Sequence, residues 1–149
     1  MNNNKTNKYD DVHDWLSSVQ RLDRQINMKL AEKKQIFDMI TSCTPNNDGM
    51  PHGCDVSDPV GNGVAKLVDL SREIDALIDS YVDTRDEVIK ALDILPPNEY
   101  EVIHGHFILG MTYEAIAVDM GMSYRHVMRL KNKSLKKLKC HRMSHSKVV

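Results

Sequence analysis

The sequence predicts an all-α protein: a long antiparallel helical hairpin, similar to a coiled coil, followed by a three-helix helix-turn-helix domain. Three observations predict this fold class. Apolar residues recur at intervals of three and four in two segments of about 31 residues each. The Pro96-Pro97 pair then ends the helical pattern. Further on, Gly121 lies in a tight turn between two short amphipathic patterns.

The first long helix is predicted to run from about residue 10 to residue 40. Its apolar positions, with no Pro or Gly among them, are Trp15, Leu16, Val19, Leu22, Ile26, Leu30, Phe37 and Ile40. Residues 41–63 are rich in Pro, Gly, Asn, Asp and Ser, so we expect a flexible loop there. The polar residues 1–9 are expected to form a disordered lead-in.

The second long helix is predicted from about Val64 to Leu95, and its pattern is the more regular of the two. Five apolar residues fall at an unbroken interval of seven: Leu67, Ile74, Tyr81, Val88 and Leu95. Two helices of similar length joined by a loop predict an antiparallel hairpin over residues 10–95. The pattern leaves open whether the apolar stripe packs on the partner helix, on a second subunit, or on both.

Residues 96–139 are predicted to form three short helices. Pro97 suits the first position of the first helix, and Gly110 its end. Thr112 and Ser123 are good N-caps for the second and third helices, and only three residues around Gly121 separate these two helices. Residues 140–149 are expected to form a basic, disordered tail.

Composition and charge exclude several classes of protein. Of the 149 residues, 41% are hydrophobic and 28% charged, and no apolar run approaches the roughly 20 residues of a membrane span. Three cysteines at irregular spacing and a polar amino terminus favour a reducing cytoplasm over secretion. Residues 1–110 carry 11 Lys and Arg against 19 Asp and Glu, whereas residues 111–149 carry nine against two. This polarity favours a polyanionic partner for the carboxyl-terminal part.

The third short helix separates its residues by face. Val127, Leu130, Ser134 and Leu138 fall on one side, and Arg125, Arg129, Asn132 and Lys136 lie opposite them. Arg can pair with guanine and Asn with adenine in the major groove of DNA. We expect the amino-terminal Tyr124, Arg125 and Arg129 to contact bases, and Asn132, Lys133, Lys136 and Lys137 to contact phosphates. The candidate DNA-binding set also includes Thr112, Tyr113 and Ser123, at the starts of the second and third helices.

Other kinds of site find little support. Cys43, His52 and Cys54 lack the spacing of common zinc sites, and His104 and His106 are two residues apart and so face different sides of a helix. No nucleophile and base form a defensible pair. We therefore expect neither catalysis nor a cofactor or metal.

The residues of the carboxyl-terminal part resemble region 4 of sigma-70-type factors, the helix-turn-helix that reads the −35 promoter element. The resemblance covers about residues 94–139 and is carried by Leu95-Pro96, Tyr100, Gly110, Thr112–Ala117, Met120–Ser123, Val127, Leu130, Leu135 and Leu138. There are two departures from the usual pattern: Tyr124-Arg125 stands where region 4 usually has Arg-Glu, and Arg129 where it usually has Gln. The resemblance therefore does not imply a −35-like target sequence.

The whole chain resembles small phage-encoded proteins of Gram-positive hosts that join an amino-terminal coiled coil to a region 4-like domain. This resemblance implies a sequence-specific, DNA-binding transcription regulator in the cytoplasm of a bacterial host. Its partners would be double-stranded DNA, RNA polymerase and, through the hairpin, a second copy of the chain. Two alternatives stay open: a DNA-packaging subunit of the small-terminase kind, and a sigma mimic that occupies polymerase without binding DNA.

Overall fold

The computed structural model describes residues 10–42 and 59–145, and within them it is all-helical. Its five helices, in chain order, are α1 (Asp10–Ser42), α2 (Pro59–Leu92), α3 (Pro97–Phe107), α4 (Tyr113–Asp119) and α5 (Tyr124–His145). The predicted fold class is confirmed: two long helices pack together, and three short helices follow. None of the helices in this part of the chain is long and apolar enough to cross a membrane.

The chain divides into two compact units, and the first contains residues 23–42 and 59–80. Here α1 and α2 run antiparallel, because an early residue of one helix meets a late residue of the other. Lys29 Nζ lies 2.8 Å from Glu73 Oε2, and Lys66 Nζ lies 4.0 Å from Glu32 Oε1. The hydrogen bond to Glu73 raises the pKa of Lys29.

The second unit contains the start of α1, the end of α2 and all three short helices. Its main core joins the two long helices to the helix-turn-helix segment. The buried members of this core are Val12, Leu16, Val19, Val88, Leu92, Leu95, Ile103, Phe107, Leu135 and Leu138. The segment predicted as a separate domain from residue 96 onward thus shares one hydrophobic core with the base of the hairpin.

The second long helix begins earlier than the sequence pattern predicts. Residues up to 63 were expected to belong to the loop, but α2 starts at Pro59 and includes Gly61 and Gly63. Proline is tolerated at the first helical position because the N–H that it lacks would have no helical partner there. Gly63 has a packing reason to be glycine, since a Cβ at this position would lie 2.6 Å from Ile40 Cδ1. At this position the close approach to α1 outweighs the low helix propensity of glycine.

The last helix ends later than predicted. Residues 140–149 were expected to be a disordered tail, yet α5 continues to His145. The Arg142 guanidinium lies over the Trp15 ring, 4.4 Å from its centroid, and Leu138 one turn earlier is fully buried. These contacts with α1 stabilise a last turn whose sequence is polar. The expectations for the lead-in, for the loop between residues 43 and 58, and for residues 146–149 lie outside the described residues.

Candidate nucleic-acid interface

The turn between α4 and α5 has the geometry that a helix-turn-helix requires. Gly121 adopts φ +61°, the left-handed conformation expected of it. The backbone N–H of Met122 donates to the Ala117 carbonyl at 2.9 Å, which closes the end of α4. Ser123 Oγ accepts from the His126 N–H at 3.3 Å at the start of α5. The corner is therefore set by one glycine and one side-chain cap.

A small second core holds the helices of this motif together. Its buried members are Val102, Ile116, Ala117 and Val127. Gly105 on α3 allows α4 to come close, because a Cβ there would lie 3.2 Å from Ile116 Cδ1. Val127 is fully buried, which confirms the predicted inward face of α5. With this face anchored, the opposite side of the helix is directed to solvent.

The outer face of α5 carries the predicted polar stripe. We call this stripe the reading face; its members Arg125, Arg129, Asn132 and Lys136 are all exposed. In the part of the chain that the structure describes, no carboxylate lies within 4.0 Å of the three cationic groups. Tyr124, at the first turn beside them, is 47% exposed. The reading face thus presents two guanidinium groups, an amide and an ammonium that are not neutralised within the described chain.

Two predicted phosphate contacts have a different environment. Lys137 Nζ lies 3.0 Å from Oε1 and 2.9 Å from Oε2 of Glu99, and Lys133 Nζ lies 3.5 Å from Oε1. Glu99 sits in the first turn of α3 and is only 2% exposed. A buried carboxylate needs compensating charge and hydrogen bonds: both lysines supply charge, and Lys137 also donates a hydrogen bond to Oε1. Both ammonium groups are engaged inside the domain, although the Lys133 side chain keeps 65% of its exposure.

Tyr113, another predicted DNA contact, is packed into the domain. Its ring stacks on the His106 ring, with centroids 4.0 Å apart. Lys131 of α5 lies over the Tyr113 ring, with its Nζ 5.0 Å from the ring centroid. The hydroxyl is buried without a hydrogen-bond partner among the described residues, and burial raises the pKa of the phenol. The Tyr113 ring therefore packs inside the domain at the start of α4, in contact with His106 and Lys131.

The remaining predicted contacts, Thr112 and Ser123, are the caps of α4 and α5. Thr112 Oγ1 accepts from the Ala115 N–H at 3.2 Å, and Ser123 caps α5 as described above. Because each hydroxyl acts as an acceptor in its cap, its proton stays available for a second acceptor. Both residues are exposed, so this acceptor can be a phosphate oxygen of a bound duplex.

His106 lies beneath Tyr113 with its ring held by a hydrogen bond. Its Nδ1 lies 2.8 Å from the Met111 carbonyl oxygen, which can only accept, so Nδ1 carries the proton. Burial lowers the pKa of His106. Among the described residues no group of His, Cys, Asp and Glu could hold a metal ion, and Cys43, His52 and Cys54 lie outside them.

The comparison with known families agrees with this geometry. Residues 91–139 match the family model of Sigma-70, region 4. The region 4 domain begins in the last turn of α2 and ends within α5, so the resemblance predicted over about residues 94–139 is confirmed. A match to region 4 indicates a DNA-binding module of the helix-turn-helix type. No curated protein and no solved structure matches the chain.

Sequence reasoning missed the most buried charge in this domain. Local sequence rules give Glu99 only the role of a favourable charge near the amino terminus of α3. Its pairing with Lys133 and Lys137 depends on how α3 and α5 cross, which no local pattern reports. One signal was available: Lys133 and Lys137 are one turn apart and flank the predicted buried stripe, where long cations can reach an acidic group on a neighbouring helix.

Proposed function

We propose that this chain is a sequence-specific, DNA-binding regulator of transcription, of the phage type, that reads duplex DNA with the amino-terminal half of α5. The observation that supports the proposal most strongly is the reading face. Four donor side chains project from one side of α5, and no described carboxylate neutralises the cations among them. The major groove, about 12 Å wide, accommodates one α-helix with its side chains.

Within the reading face we assign different roles along the helix. Tyr124, Arg125 and Arg129 lie in the first two turns, where recognition helices reach base edges. Asn132 and Lys136 lie further along, where the DNA backbone is the nearer target. Lys133 and Lys137 are assigned to Glu99 instead, so the proposed interface is smaller than the sequence alone predicts.

The hairpin gives the regulator a second role. One helix-turn-helix makes few base contacts, and two copies on adjacent half-sites multiply the affinity. We therefore assign self-association to the hairpin and propose RNA polymerase as the other protein partner of the region 4 domain. Regulation would take place in the cytoplasm of the host cell, where both DNA and polymerase are available.

Selection of bound sequences from a random DNA pool, at about 50 mM and about 200 mM salt, tests this function. We expect one sequence family to be enriched at both concentrations. Affinity of the proposed dimer should fall by roughly 2,000- to 20,000-fold between them if each of its two helix-turn-helix motifs neutralises about three to four phosphates. Failure to enrich any sequence would contradict the proposal. Retention of RNA polymerase without any DNA shift would then favour a sigma mimic, and a ring of eight or more subunits would favour a packaging subunit.

A further inference from the structure

The hairpin unit, residues 23–42 and 59–80, leaves an unusual amount of apolar surface exposed. Within its described residues, the side chains that belong to the buried core are Leu70 and Ile74. Six large apolar side chains are instead 40–55% exposed: Leu30, Phe37, Val60, Val64, Val68 and Ile78. A pair of helices alone buries too little surface to offset the conformational entropy of ordering it.

Five of these side chains lie on one face of the hairpin, which we call the apolar face: Leu30, Phe37, Val60, Val64 and Ile78. On α1 the partly buried Ile36 and Ile40 point toward α2, and Leu30 and Phe37 are rotated from them by roughly 60–120° at 100° per residue. On α2, Val60, Val64 and Ile78 are rotated from Leu70 by roughly 80–120° in the same sense. In an antiparallel pair, equal senses of rotation bring both sets to the same face.

The opposite face of the hairpin carries fewer large exposed apolar side chains. Two exposed methionines, Met28 at 72% and Met39 at 67%, are its large apolar side chains. The groove beside Met28 is lined by Ala76 and Leu77 as well as by Gln25, Glu32, Glu73 and Ser80. With five large exposed apolar side chains against two, the apolar face is the larger apolar surface of the hairpin.

The charges that border the apolar face are complementary to the same face of a second copy. Lys33 and Lys34 lie toward the tip of the hairpin, and Asp23 and Asp75 border the other half. Two copies aligned antiparallel would place the lysines of one copy beside the aspartates of the other. Two copies aligned parallel would place like charges together, which is unfavourable.

We propose that a second copy of this chain packs on the apolar face in antiparallel orientation, so that two hairpins form a four-helix bundle. Twenty residues of helix are about 30 Å long, and two such helices side by side offer roughly the 800 Å² per partner of a stable interface. The inference rests on the proposed function for its purpose, because it pairs two region 4 domains for two half-sites.

Sedimentation equilibrium of the full chain without DNA tests the apolar face. We expect twice the chain mass of 17.0 kDa for the natural sequence. Leu30→Glu with Phe37→Glu should give the monomer mass and raise the dissociation constant at least 100-fold. Met28→Glu with Met39→Glu makes the same change on the opposite face of the same helix and should stay dimeric. All four side chains are exposed within one chain, so helical content by circular dichroism should be retained.

Three results would overturn the proposal: a monomeric natural chain, two variants that dissociate equally, or a larger closed assembly. Disulfide trapping in a Cys43→Ser, Cys54→Ser, Cys140→Ser background tests the orientation. Chains with Val64→Cys should crosslink to chains with Ile78→Cys, and neither should crosslink to itself. Self-crosslinking of both would show the parallel orientation and contradict the charge argument. Because DNA is absent, failure of the dimer would leave the proposed reading face untouched.

Discussion

Replacing Arg125 and Arg129 by alanine is expected to weaken binding to the selected DNA sequence by about 2–5 kcal/mol. A well-placed bidentate contact to a base contributes roughly 1–3 kcal/mol of discrimination. Both guanidinium groups are exposed and have no carboxylate within 4.0 Å in the described chain, so the substitution should leave the free energy of unfolding nearly unchanged. Fluorescence anisotropy with selected and scrambled duplexes measures the affinity and the specificity together.

The matched control removes two arginines elsewhere. Arg24 and Arg72 are also exposed, on α1 and α2, and their replacement by alanine lowers the net charge by the same amount. We expect this control to keep its preference for the selected sequence. If both double variants lose affinity equally, the effect is one of net charge and the assignment of the reading face is wrong.

The second large effect concerns stability. Replacing Lys133 and Lys137 by alanine should lower the free energy of unfolding by about 2–3 kcal/mol, because it leaves Glu99 buried without compensating charge. This loss of stability is smaller than the loss expected when a fully buried ion pair is broken, because both lysine side chains reach solvent. Urea denaturation measures it. Affinity for DNA, measured where the variant is folded, should change by less than about threefold.

Two comparisons make this prediction specific. Adding Glu99→Gln to the double lysine variant should recover part of the lost stability, because a neutral amide costs less to bury than an unpaired charge. Lys136→Ala should show the opposite behaviour, with unchanged stability and weaker binding to all DNA sequences. A double lysine variant that is fully stable but fails to bind DNA would show that Lys133 and Lys137 contact phosphates and do not stabilise Glu99.

Local patterns predicted much of this fold because they depend on periodicity and turn chemistry. Gly121, the caps at Thr112 and Ser123, and the inward position of Val127 all follow from short-range rules, and the structure confirms them. Helix ends were harder to predict. Pro59 and Gly63 read as loop residues, and their helical state depends on contact with α1, which the local sequence does not report.

In the candidate site, too, local patterns place some residues and tertiary contacts place the others. The exposed stripe of Arg125, Arg129, Asn132 and Lys136 follows from 100° per residue, and no tertiary information was needed to place it. Lys137 and Tyr113 could not be placed in this way. Their partners, Glu99 and His106, both lie on α3, and only the crossing of α3 with α4 and α5 brings these groups together. Non-local contacts therefore remove Tyr113, Lys133 and Lys137 from the proposed DNA contacts.

The proposed function requires α5 to occupy the major groove, and methylation interference on the selected duplex tests this most directly. Methyl groups at guanine N7 project into the major groove, and those at adenine N3 into the minor groove. We predict that N7 methylation of one or two guanines in each half-site abolishes binding by the natural chain, and that Arg125→Ala removes the sensitivity at one of these guanines. Interference confined to adenine N3, with none at guanine N7, would contradict the account.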